Sequence, residues 1–197
     1  MRRILGGVAA AVLAVGLAAC SSDSNSIAAQ ARSGDQKNYL SGDGSIERLT
    51  PGQRGTALTL SGTTLTGAPW SVAQARGKVV VLNVWGSWCA PCVAETPDLQ
   101  KAWLAYSKAG KPVQFMGINY RDPSPDTARA FLRANKVTYP SLADNGGRTL
   151  LALRGKAANT PTTLVLDQQG RLAARVAGQV SRATLDGLVD DVLGEGA

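Results

Sequence analysis

Apolar and polar positions divide the chain into a short apolar leader, a polar stretch and a patterned body. Residues 4–18 are almost wholly apolar and run into Leu17-Ala18-Ala19-Cys20. Ser, Gly, Asp, Asn and Gln dominate from Cys20 to about Gly52, with little apolar periodicity, which reads as a flexible tether over residues 20–52. Residues 57–60 and 63–66 alternate about Ser61-Gly62 and predict a small hairpin. Residues 70–75 predict a short helix stopped at Gly77. Residues 78–85 are apolar on both faces, as buried central strands are. A helical period then runs over residues 90–108, with Leu99, Trp103 and Tyr106 on one stripe and a kink expected at Pro97.

A second buried strand follows at residues 113–119. Ser124-Pro125 reads as a cap and first helical position, with Phe131 and Leu132 facing the core. Residues 141–142 read as a brief extended piece and residues 147–153 as a short helix. Residues 162–167 and 172–177 predict strands joined about Gln169-Gly170. Ser181 caps a last helix carrying Leu185, Leu188, Val189 and Val192 at helical spacing. The order β-α-β-α, connector, β-β-α predicts an α/β fold with a mixed central sheet flanked by helices and an N-terminal hairpin extension.

The leader has the layout of a secretory signal: Arg2 and Arg3, a short apolar stretch, then small residues. It is too short for a spanning helix. Leu17-Ala18-Ala19-Cys20 also resembles a bacterial lipobox, which implies a signal peptide over residues 1–19 and lipid attachment at Cys20. The alternative is a plain signal peptide with an incidental cysteine. Either way residues 53–197 form the folded domain.

Composition narrows the chemistry. The chain of 197 residues is 44% hydrophobic and 18% charged, as globular domains are. Its formal charge of +7 includes Arg2 and Arg3; without them 19 basic residues face 14 acidic ones. That excess is spread along the chain, without the basic runs and interleaved aromatics of a nucleic-acid binder. Histidine is absent, which excludes Ser-His and Cys-His catalysis and argues against a metal site. Of three cysteines, an acylated Cys20 leaves only Cys89 and Cys92 as thiols. A pair this close closes too small a loop to staple a fold, so redox cycling is its expected use.

Trp88-Cys89-Ala90-Pro91-Cys92 follows the first buried strand directly. Cys89 then lies at a helix N-terminus, where free N–H groups and the helix dipole favour a thiolate. Cys89 is expected to face outward as the attacking nucleophile, with Cys92 one turn deeper as the resolving thiol. Ala90 and Pro91 offer the thiolate neither charge nor a side-chain hydrogen bond, which favours a reductant. Glu95 shares the helical face of Cys92.

Taken together, the strand, Trp-Cys-x-Pro-Cys, Pro97, Glu95, Asn83-Val84-Trp85-Gly86-Ser87-Trp88-Cys89 and a later Thr160-Pro161 resemble the thioredoxin fold in its membrane-anchored TlpA/ResA-like branch. Resemblance to this branch implies a thiol–disulfide oxidoreductase of the cytochrome c biogenesis type, working without a cofactor beyond the redox-active cysteines. It implies acid–base tuning by Glu95 and a cis Pro161 beside the disulfide. Thr160 would present its backbone to substrate and Trp88 would pack over the site. Asn83 stands where ordinary thioredoxins carry a buried Asp, so it either tunes the redox pair or is a hydrogen-bonded core residue; Trp85 reads as core. Expected partners are apocytochrome c or other exported disulfide proteins, a membrane thiol carrier of the CcdA/DsbD type as electron donor, and the outer face of a bacterial cytoplasmic membrane through the anchor; a monomer is expected. An oxidant or isomerase of exported proteins and a non-catalytic thioredoxin-like binding lipoprotein are the alternatives.

Overall fold

The structure, a computed structural model, describes residues 45–144 and 146–196. The signal-like leader, Cys20 and the tether up to residue 44 lie outside the described residues.

Three segments open the described chain: strand β1 (Ser45–Arg48), and the pair β2 (Ser61–Thr63) and β3 (Pro69–Ser71), which form a separate antiparallel hairpin. A 3-10 turn over Val72–Ala75 leads to β4 (Val79–Trp85), all seven residues of which are buried. Helix α1 (Ala90–Lys108) returns to β5 (Val113–Tyr120), parallel to β4. Helix α2 (Pro125–Ala134), capped by the Ser124 side chain, leads to β6 (Ser141–Asp144), parallel to β5. After the short helix α3 (Arg148–Ala152), β7 (Thr162–Leu166) pairs antiparallel with β4 on its other side. Strand β8 (Leu172–Ala177) pairs antiparallel with β7, and helix α4 (Arg182–Gly194) ends the fold. The six-stranded sheet has the order β1-β8-β7-β4-β5-β6.

Strand alternation explains why β4, apart from Asn83, is apolar on both faces. Val79 and Val81 pack with Leu99, Ala102 and Tyr106 of α1 and with Leu185, Leu188, Val189 and Val192 of α4. Val80, Leu82 and Val84 point the other way, into a cluster with Trp70, Val72 and Leu153. Each fully buried leucine contributes about 2 kcal/mol. With both faces of β4 covered, its C-terminal end is a fixed platform for the turn that follows. Among the described residues, no helix is long and apolar enough to cross a membrane.

Several local expectations change. The polar composition that predicts a tether as far as residue 52 conceals β1, whose four residues are all exposed and which pairs with β8 through its backbone and a Glu47–Arg175 ion pair. The hairpin forms at a shifted register: Ser61-Gly62 lies in a strand, and the turn falls at Gly67, which has φ 89°. Trp70 belongs to β3, so the helix predicted over residues 70–75 shrinks to the 3-10 turn. Phe131 and Leu132 are half-buried, and Ala128 is the fully buried residue of α2. Helix α1 continues through Pro97, which is exposed on its outer face.

Gly117 sets the spacing of β5 against β6 at the site end. A Cβ there would lie 2.7 Å from Trp85 Nε1 and closer still to Ser141 Oγ, and those two groups bond each other at 3.3 Å. Gly117→Ala is therefore expected to destabilise the fold by about 1–3 kcal/mol. Urea unfolding checks this, and a midpoint equal to the wild type's would show that the strands give way freely.

Candidate active site

The site is assembled where β4 ends. Chain direction must reverse from strand to helix between Trp85 and Ala90, and Gly86 permits it: a Cβ there would lie 2.6 Å from Trp88 Cε2. Ser87 follows, with its N–H and hydroxyl both donating to Asp122. Cys89 N–H donates to the Gly86 carbonyl at 3.1 Å, closing the turn. Cys89 is the N-cap of α1, and its Sγ accepts from Cys92 N–H at 3.3 Å. Pro91 falls in the first turn of α1, where the amide hydrogen that proline lacks has no helical partner to lose. Cys89 and Cys92 form a disulfide with Cα atoms 5.2 Å apart.

The outward-facing Cys89 is corrected. Cys89 and Cys92 are each only 1% exposed. They lie in an apolar cluster with Leu65, Trp85 and Ala128, against which half-buried Trp88, Phe131 and Leu132 pack. Leu65 comes from the β2–β3 turn and Phe131 from α2, segments that no spacing near the cysteines reveals. Trp85 is buried and stacks on Phe131 at 5.1 Å between centroids. Trp88 keeps part of its surface exposed and donates Nε1–H to the Tyr120 carbonyl at 3.2 Å. Ala90 is exposed and Pro91 half-buried, so the two intervening residues line the rim.

Glu95, one turn after Cys92 in α1, is 1% exposed. Its Oε1 accepts from Asn83 Nδ2 at 2.8 Å and its Oε2 from Val180 N–H at 2.8 Å. Burial pushes its pKa up to about 7, while the bonds from Val180 and Asn83 pull the other way. Asn83 also donates to Thr163 Oγ1 at 3.1 Å, so this amide spans Glu95 and β7. It is thus both a satisfied core residue and a direct partner of the buried carboxylate. Tyr139 is buried as well, and burial together with the charge of Glu95 pushes its phenol up.

The other side of the site is the loop before β7. The Thr160–Pro161 peptide is cis. Val84 pairs with Thr162, which brings that loop to the same end of the sheet as the cysteines. The Pro161 carbonyl accepts from Gly178 N–H at 2.9 Å, two residues before Val180. Glu95 and Pro161 thus hold neighbouring points of one loop. Thr160 is 3% exposed, and no hydrogen bond to its backbone is formed among the described residues. Sequence reasoning missed Ser87, Asp122 and Val180, because each acts through a backbone or side-chain bond from a distant segment. The only forewarning was the polar Ser87 set between apolar tryptophans.

Known proteins are similar to this chain in sequence and fold. A secreted thiol-disulfide isomerase from Corynebacterium glutamicum superposes with a TM-score of 0.72 at 33% identity, covering 77% of this chain and 94% of that one. A DsbF homologue from Corynebacterium diphtheriae superposes with a TM-score of 0.64 at 34% identity, over 74% of this chain and 92% of that one. The thiol:disulfide interchange protein HelX of Rhodobacter capsulatus is 35% identical over 128 residues, 64% of this chain and 68% of that protein. Thiol-disulfide oxidoreductase ResA of Geobacillus kaustophilus is 28% identical over 124 residues, 63% and 68% of the two chains. The redoxin family model matches residues 50–191, every strand of the main sheet but its first, and the chain therefore belongs to the redoxin family as a thiol–disulfide oxidoreductase of the thioredoxin fold.

Proposed function

We propose that the protein reduces disulfides of exported proteins outside the cytoplasmic membrane, with the haem-attachment pair of apocytochrome c as its substrate. The observation that carries the reading is the cysteine pair at the head of α1, with uncharged Ala90 and Pro91 between the sulfurs and buried Glu95 one turn on. An uncharged intervening pair leaves the reduced state without extra thiolate stabilisation, which makes for an electron donor.

The reaction starts from the dithiol. Cys89 thiolate attacks one sulfur of the substrate disulfide; that S–S bond breaks, a Cys89–substrate disulfide forms and the other substrate sulfur leaves to take a proton. Cys92 gives up its proton to Glu95, whose pKa of about 7 lets it accept and return a proton near neutrality. Cys92 thiolate then attacks Cys89 Sγ, releasing the reduced substrate and restoring the Cys89–Cys92 disulfide. A membrane thiol carrier of the CcdA/DsbD type resupplies the two electrons. The Thr160 backbone beside Pro161, which forms no hydrogen bond among the described residues, suits an extended substrate segment added as a strand, with the exposed part of Trp88 as a further contact. Lipid attachment at Cys20 would keep the domain beside its electron donor. Isomerisation of exported proteins is the second reading, supported by the isomerase from Corynebacterium glutamicum.

Deleting the protein is expected to lower c-type cytochrome content, and an added small-molecule thiol to restore it. Unchanged haem attachment, with misfolded exported proteins in its place, would transfer the assignment to isomerisation.

Glu95 gives a second expectation. Its folded pKa, about 7, lies above its ordinary value of 4.5, so the folded state holds the proton more tightly. Stability contributed by the protonated form is present below pH 4.5 and is lost as pH rises to about 7, by up to about 3 kcal/mol. Glu95→Gln should remove that loss, and its rate of mixed-disulfide resolution should lose its dependence on pH near 7. Unfolding curves and single-turnover kinetics from pH 4 to 8 measure both; a variant with the wild type's pH profile would remove Glu95 from the proton path.

A further inference from the structure

A fixed negative charge lies against the turn that delivers Cys89. Asp122, in the loop between β5 and α2, is 4% exposed. Its Oδ1 accepts the Ser87 hydroxyl at 2.6 Å and the Ser87 N–H at 3.2 Å. Its Oδ2 accepts Asn119 Nδ2–H at 2.5 Å, with Ser87 N–H at 3.3 Å as a shared donor. Every hydrogen-bonding neighbour donates to it. Among the described residues it forms no ion pair. The adjacent Arg121 lays its guanidinium over the Tyr120 ring, 4.9 Å from the centroid. Asn119 Oδ1 is buried with no hydrogen-bond partner, so the amide is committed to the carboxylate.

Turn geometry brings this charge close to the sulfur. Ser87 is two residues before Cys89, and consecutive Cα atoms are about 3.8 Å apart, so the backbone that Asp122 binds lies within about 8 Å of the Cys89 backbone. It sits at the end of α1 where free N–H groups would otherwise favour an anion. Like charges at this separation disfavour each other by up to about tenfold at the effective dielectric of protein sites. The other acid near the pair, Glu95, lies one turn after Cys92 in α1 and is bonded to Asn83 and Val180. Asp98, further along α1, accepts Arg182 N–H.

We infer that Asp122 is a positioning residue that also acts electrostatically. Through Ser87 it holds the turn, and by its charge it destabilises the Cys89 thiolate and so strengthens the reduced pair as an electron donor. The inference deepens the reductive reading and rests on it for its biological sense. Opposition to the helix dipole is its physical content. A thiolate stabilised by the helix alone would make the dithiol form too stable to give up its electrons readily.

Asp122→Asn separates charge from shape. The introduced amide can still accept from Ser87, and its own N–H can donate to Asn119 Oδ1 once that amide turns. In the reduced full-length protein, alkylation rate against pH reports the Cys89 thiolate. The midpoint is expected to fall by about one unit. The equilibrium constant against glutathione, measured above both midpoints, should shift toward the dithiol by up to about tenfold, roughly 30 mV. Ser87→Ala removes a donor and keeps the charge, so its midpoint should stay or rise. Equal shifts in the two variants would mean that the network only shapes the turn, and an unshifted Asp122→Asn would overturn the inference. Asp122→Ser provides the same readout should the amide variant fail to fold. Whether the wild type equilibrates with thioredoxin-like or oxidant-like partners tests the reductive reading separately, since the variant difference does not depend on it.

Discussion

A carboxylate taken out of water must find donors, and the donors that Glu95 finds organise the molecule. One is Asn83, on the central strand β4; the other is the N–H of Val180, at the entry to α4. Through them a single side chain of α1 pins the redox helix to the sheet and to the loop that also holds Pro161 by way of Gly178. Removing either donor leaves a buried charge short of partners, which costs about 1–3 kcal/mol or more. The same burial that makes this group demanding also gives it a proton affinity suited to exchange near neutral pH. Structural anchoring and a proton affinity near neutrality are therefore two consequences of one desolvated acid.

Cover over the sulfurs is the second constraint. In the disulfide state Cys89 and Cys92 are packed among Leu65, Trp85 and Ala128, so neither donor nor substrate reaches sulfur without displacing apolar side chains. Asp122 binds the turn before Cys89 and Glu95 follows Cys92 by one helical turn, so two acids flank the cysteine pair along the chain. The helix N-terminus pulls toward a thiolate and those charges oppose it. The balance between them, more than the helix end alone, sets how readily the dithiol releases electrons.

Much of the frame was legible in the sequence because it rests on local rules. The run 79–85 is apolar at both parities, and it is the strand buried on both faces. Ser124-Pro125 and Ser181 read as caps and serve as caps. Helix α1 spans Ala90–Lys108 as its period required, and even its proline does not end it. What stayed hidden depends on contacts between distant segments. Strand β1 has no buried face to announce it, since it joins the sheet by backbone pairing and an exposed Glu47–Arg175 ion pair. Gly62 resembled a turn residue but lies in β2 against Leu142, while Gly67 makes the turn. Burial of Cys89 follows from Leu65, Phe131 and Leu132, and the partners of Glu95 and Ser87 come from Val180 and Asp122, none of which spacing near the cysteines reveals.

The division of labour between the two sulfurs is the claim from which the mechanism follows, and a trapping experiment reads it directly. The reduced Cys92→Ala variant, mixed with an oxidised peptide carrying Cys-x-x-Cys-His, should accumulate a covalent adduct on Cys89 that mass spectrometry locates. The matching Cys89→Ala variant should accumulate none. An adduct on Cys92 in that second protein, with none on Cys89 in the first, would reverse the roles and contradict the account.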